Sequence, residues 1–100
     1  MGYIVYLTMI QSFRHKGLEK FFINGSKRGI IPEHVEKIAR ILDRLDASIS
    51  PSDMNLPGYR LHELKDDNAG TWSVTVNANW RITFEFEGQN AVSVNYLDYH

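Results

Sequence analysis

From Thr71 to Tyr96 the apolar residues fall on alternate positions, interrupted only by turn-forming stretches, and that period of two leaves few folds open. Trp72, Val74 and Val76 share one face of a strand, with Thr71, Ser73 and Thr75 on the other. After the tight turn Asn77-Ala78-Asn79, Trp80, Ile82, Phe84 and Phe86 alternate with Arg81, Thr83 and Glu85. Glu87-Gly88-Gln89-Asn90 then turns the chain into a last strand, Ala91-Val92-Ser93-Val94-Asn95-Tyr96. Tyr59 to Leu64 reads as a further strand ahead of these, set off by the turn-rich Lys65-Asp66-Asp67-Asn68-Ala69-Gly70. The pattern predicts an antiparallel meander with one apolar and one polar face.

The apolar face needs a cover, and the first half of the chain offers two helices. His15 to Asn24 reads as a short helix with Leu18, Phe21 and Phe22 inward and Gly25 as its stop. Pro32 suits a first helical turn. Val35, Ile38, Leu42 and Leu45 then recur at steps of three and four, the stripe of an amphipathic helix ending near Ala47. Ile10-Gln11-Ser12-Phe13 reads as a short strand, and 50–58 has loop composition. The expectation is an α+β fold, two N-terminal helices on an antiparallel sheet, in a single domain over residues 9–100. Met9 is a credible initiator, so residues 1–8 are expected to be an N-terminal extension; the alternative is an extra edge strand.

One hundred residues, 43% of them hydrophobic, suffice for one core. The absence of cysteine excludes a disulfide framework and a thiolate metal site and fits a reducing cytosol. The apolar stretch at residues 1–8 is too short to span a membrane and lacks a basic region and a cleavage site. A cytoplasmic protein without a membrane partner is expected. A net charge of −1 argues against a free-standing nucleic-acid binder. Residues 1–50, however, carry eight Lys/Arg against five Asp/Glu, while residues 51–100 carry three against seven. Lys27, Arg28, Lys37, Arg40 and Arg44 in this basic half read either as an ordinary solvated face or as a patch that meets a polyanion. His15 and His34, near helix starts, read as surface residues.

The polar face of the meander is where chemistry can reside. Arg81 lies between Trp80 and Ile82, so strand parity turns it from the core. His62 and Lys65 end the first meander strand, and Asp98, Tyr99 and His100 follow the last. If those strands flank the central hairpin, imidazoles, a carboxylate, a phenol and two cations share one concave surface. RNA cleavage without a metal wants such a set. It needs a base for the ribose 2′-hydroxyl, an acid for the leaving 5′-oxygen, and cations for the charge on phosphorus. Imidazole serves either proton step near neutrality, and a tyrosine can stack on a base. There is no phosphate-binding glycine loop, no HExxH, no closely spaced histidine pair and no serine elbow, so neither metal nor cofactor is expected.

Met9-Ile10-Gln11-Ser12-Phe13, Tyr59-Arg60-Leu61-His62-Glu63-Leu64-Lys65 and Trp72-Ser73-Val74 resemble the HigB toxins, a branch of the RelE superfamily. So do Ala78-Asn79-Trp80-Arg81-Ile82-Thr83-Phe84 and Asn95-Tyr96-Leu97-Asp98-Tyr99-His100. The resemblance runs from Met9 to His100 and is strongest in the Asn-Trp-Arg segment and the Asp-Tyr-His tail. It implies a RelE-like microbial ribonuclease fold and a ribosome-dependent endoribonuclease that cuts mRNA in the ribosomal A site and halts translation. It also implies a helix-turn-helix antitoxin of the HigA type as partner, with DNA met only through that antitoxin. Position by position, His62, Lys65, Arg81, Asp98, Tyr99 and His100 match the family's functional residues, with His62 and Asp98 expected as the proton-transfer pair and His100 as the alternative proton-transfer group. Residues 1–8 fall outside the family pattern, and Asn77 stands where some relatives carry an arginine. ParE-type toxins, which bind a topoisomerase, are the alternative class within the superfamily; an inactive RNA-binding module is another.

Overall fold

The computed structural model describes residues 9–99. The expectations for residues 1–8 and for His100 lie outside that range. Helix α1 spans Lys16–Asn24 and helix α2 spans Val35–Asp46. Four strands follow: β1 His62–Glu63, β2 Trp72–Asn77, β3 Trp80–Glu87 and β4 Asn90–Asp98. They form one antiparallel sheet in the order β1-β2-β3-β4, the expected meander.

Each helix begins and ends for a local reason. His15 caps α1, its Nδ1 accepting the Leu18 N–H at 3.0 Å, and Gly25 at φ 78° closes the helix in the left-handed region. Pro32 opens a 3-10 turn, Pro32–His34, that runs directly into α2. Ile38, Ile41, Leu42 and Leu45 of α2 are fully buried against Val74, Ile82, Phe84 and Val94 of the sheet. Burying each such side chain stabilises by about 1.5–3 kcal/mol, so this stripe fixes the helix on the sheet.

Two strand expectations are corrected. The predicted strand Tyr59–Leu64 contracts to His62–Glu63, because Arg60 adopts φ 52° and breaks the extended run. Tyr59 is instead held by its carbonyl, which accepts the Thr75 N–H at 2.8 Å. Residues 10–13 form isolated bridges rather than a strand of their own: Ile10 and Phe13 lie parallel to Ala91 and Val94. Met9 and Ile10 are held at the start of this segment by their N–H groups, both bonded to the Asp46 carboxylate at 2.8 and 3.1 Å.

The β3–β4 ladder slips between Thr83 and Glu85, with Ser93 at φ 56° as the bulged residue. The slip explains why Ala91 and Tyr96, which differ in parity, both face the helices: Ala91 pairs with Phe86 and Tyr96 with Ile82, whereas Val92 pairs with Glu85 on the opposite face.

His34 departs from the surface position expected of it. It is 3% exposed, and its Nδ1 lies 2.7 Å from the Tyr96 hydroxyl, which also accepts the Ile31 N–H at 3.4 Å. His15 is half-buried, with its ring 5.4 Å from that of Tyr96. A buried imidazole needs a polar partner, and the partner comes from a strand 62 residues away, beyond the reach of local pattern.

Candidate active site on the outer face of the sheet

Strand register builds the outer face in rows. His62 pairs with Ser73, Ser73 with Thr83 and Thr83 with Asn95, so one row crosses all four strands. The next row holds Thr75, Arg81 and Leu97. Successive rows on one face lie about 6.7 Å apart, two residues at the strand rise. The face is polar, yet it is not simply wet: Ser73 is fully buried and Thr83 is 6% exposed.

Three hollows open here. One of about 450 Å³ is lined by His62, Lys65 and Tyr99 with the acids Glu63, Asp66 and Asp67. A second of about 380 Å³ shares Leu64, Asp67, Asn68 and Tyr99 with it and extends across the sheet to Arg14, Thr83, Glu85 and Asn95. The segment 64–69 and the Tyr99 ring therefore line one continuous cleft. A third hollow, also about 380 Å³, is lined by Arg60, Thr75, Val76, Asn77, Ala78 and Arg81.

His62 is exposed, and its Nδ1 lies 3.1 Å from the Arg60 carbonyl. A carbonyl oxygen can only accept, so this contact keeps the ring proton on Nδ1. The neutral ring then presents a lone pair at Nε2, the form a general base requires. Arg81 is half-buried; its Nη1 donates to Thr75 Oγ1 at 2.8 Å, and its Nε is buried without an acceptor. Tyr99 is 40% exposed and is tied to the hairpin turn by its N–H, which donates to the Asn79 carbonyl at 2.8 Å.

Of the six residues expected here, His62, Lys65 and Tyr99 line one hollow, and Arg81 lies on the same face in the next row but lines another. Asp98 pairs with Trp80, so strand parity puts it on the side of the helices, opposite the face that carries His62. The His62–Asp98 proton-transfer pair is thus not brought together by the register.

Arg14, Asn95 and Arg60 were missed. Asn95 was readable from its place between Val94 and Tyr96, and Arg60 from sharing parity with His62. Arg14 was not, because it reaches the cleft through the parallel pairing of 10–13 with β4, which its own sequence neighbourhood does not announce. On the basic helices, Lys37 lies over the Tyr59 ring at 4.8 Å and Arg44 Nε donates to the Asp53 carbonyl at 2.9 Å, while Arg40 is exposed.

Comparison with known proteins identifies the family. The model of the RelE-like toxin of the type II toxin–antitoxin system HigB matches residues 11–100. "Endoribonuclease HigB" of Proteus vulgaris is 45% identical over 92 residues, which cover 92% of this chain and all of that protein. "Toxin HigB-1" of Vibrio cholerae serotype O1 is 33% identical over 94 residues, covering 92% of this chain and 98% of that one. A four-stranded meander under two helices, with the matched segment taking in the whole cleft, leaves one assignment: the chain belongs to the HigB family of RelE-like toxins of type II toxin–antitoxin systems.

Proposed function

We propose that this toxin is a metal-independent endoribonuclease that cuts mRNA in the ribosomal A site and is neutralised by a HigA-like antitoxin. The observation that carries the reading is His62: an exposed imidazole whose Nδ1 is committed to a backbone carbonyl, at the edge of a cleft shared with Lys65 and Tyr99. Its Nε2 takes the 2′-hydroxyl proton, and the 2′-oxygen attacks phosphorus. The 5′-oxygen leaves with a proton from the tail imidazole of His100, and a 2′,3′-cyclic phosphate remains. Lys65 and Arg81 offset the charge that builds on the phosphoryl oxygens. Tyr99, the exposed aromatic at the junction of the two joined hollows, stacks on an unpaired base. The name of the Proteus relative supports endoribonuclease activity.

Dependence on the ribosome follows from charge. The half that carries the site has three cations against seven anions, too few to grip a free polyanion. A ribosome supplies what is missing by holding the substrate near in-line geometry and offering ribosomal RNA to the basic helices. The test compares one mRNA, free and in a programmed ribosome, at equal protein and low salt. Cleavage is expected almost wholly on the ribosome; equal cleavage of both substrates means a general ribonuclease instead.

A further inference from the structure

The hollows of the outer face differ sharply in charge. The His62 hollow sets Lys65 against Glu63, Asp66 and Asp67, and its extension sets Arg14 against Asp67 and Glu85. The hollow of Arg60 and Arg81 contains two guanidinium groups and no carboxylate. An RNA backbone crossing this face meets repulsive acids in the joined cleft and its strongest attraction one row away. We propose that the Arg60–Arg81 hollow is a second phosphate site, holding the phosphate next to the scissile one, and that Arg60 is its specific ligand. The proposal rests on the endoribonuclease reading and adds a residue and a subsite to it.

Three features support the assignment. Arg81 is pre-positioned: its Nη1 donates to Thr75 Oγ1 at 2.8 Å, which fixes the guanidinium on the wall of the hollow. Arg60 occupies the left-handed region at φ 52°, which an arginine adopts only when its surroundings impose it, and such outliers gather at ligand clamps. That same backbone conformation presents the Arg60 carbonyl to His62 Nδ1. One residue thus orients the base through its main chain and lines the phosphate hollow with its side chain. Spacing agrees: the His62 and Arg81 rows are adjacent, so Arg81 can reach the scissile phosphate while sharing the neighbouring one with Arg60.

The test uses the full chain and two substitutions that leave the main chain of residue 60 in place, Arg60→Gln and Arg60→Lys. On mRNA in programmed ribosomes, Arg60→Gln should raise KM by about 10-fold or more while kcat stays within about threefold. It should also flatten the slope of log affinity against log salt by about 0.7, one phosphate contact on a single strand. Arg60→Lys should keep the salt slope and recover part of KM. Independently of cleavage, titrating inorganic phosphate into wild-type protein should shift the Nε–Hε resonances of Arg60 and Arg81 together. An unchanged KM and salt slope in Arg60→Gln, from an active parent, overturns the subsite. So does a fall in kcat alone, which would leave Arg60 only its backbone role. Coupled arginine shifts in a protein that never cleaves mRNA would instead keep the phosphate site and sink the endoribonuclease reading.

Discussion

At the scale of single residues, the cleft divides into groups whose direction is set by strand parity and groups held by the tail. Arg81 belongs to the first kind. Arg81→Ala should lower cleavage by about 10²-fold or more, as loss of a positioned cation does. Arg81→Lys should recover only part, because lysine is a point charge that cannot bond Thr75 and a phosphate through one planar fork. Full activity of the lysine variant in a ribosome cleavage assay would show that a diffuse positive field suffices. The tail is probed by His100→Ala, which should cost about 10²-fold in rate with the unfolding midpoint unchanged; a variant that still arrests growth removes His100 from the chemistry. His62 and Arg81 could be found in the sequence because each stands at a polar position of an alternating run, and alternation carries direction. Asp98 shows the limit of that signal. Its kinship with Tyr99 and His100 was plain, but only the pairing with Trp80 reveals that it faces the other way.

At the scale of elements, the tie between the helical half and the sheet is the His34–Tyr96–Ile31 contact, inside a cluster where the Tyr96 ring stacks on Trp80 at 4.8 Å. Tyr96→Phe leaves the Ile31 N–H and the His34 ring without their shared partner and should destabilise by about 1–3 kcal/mol in denaturant unfolding. Burial raises the Tyr96 phenol above its ordinary range, opposed by the Ile31 N–H, which lowers it. A raised acid in the folded state adds stability that is fully present below the unfolded phenol value and fades as pH climbs through the folded one. The wild-type denaturation midpoint should therefore fall on the alkaline side of about pH 10, and Tyr96→Phe should lack that component of the fall. Equal alkaline profiles would assign the loss to other groups. The two helices, the central hairpin and β4 were all readable, since caps, an apolar stripe and alternation are local signals. What escaped was the shortening of β1, caused by one backbone dihedral at Arg60, and the buried place of His34. Local pattern cannot report a partner supplied from β4.

At the scale of the whole molecule, the chain begun at Met9 should fold and cleave like the full one. The contacts from Met9 and Ile10 to Asp46 and from 10–13 to β4 lie wholly within residues 9–94. A much lower melting temperature for the shortened protein would make residues 1–8 a true edge strand. Co-expression with a HigA-like antitoxin should yield one stoichiometric complex without nuclease activity in a pull-down. Acidic antitoxin residues would dock on the basic helical half, around exposed Arg40; two freely separable proteins would count against it. The bridges from Ile10 to Ala91 and from Phe13 to Val94 carry one more consequence. Among the earliest residues of the fold to leave a translating ribosome, 10–13 have their partners among the latest. The nascent toxin therefore waits with that edge unpaired until β4 has cleared the exit tunnel. Because β4 also brings Asn95, Leu97 and Tyr99 to the cleft, the active surface is completed only then. A long-range closure of this kind is slow compared with helix formation. A nascent toxin thereby carries an incomplete cleft until its last strand has emerged.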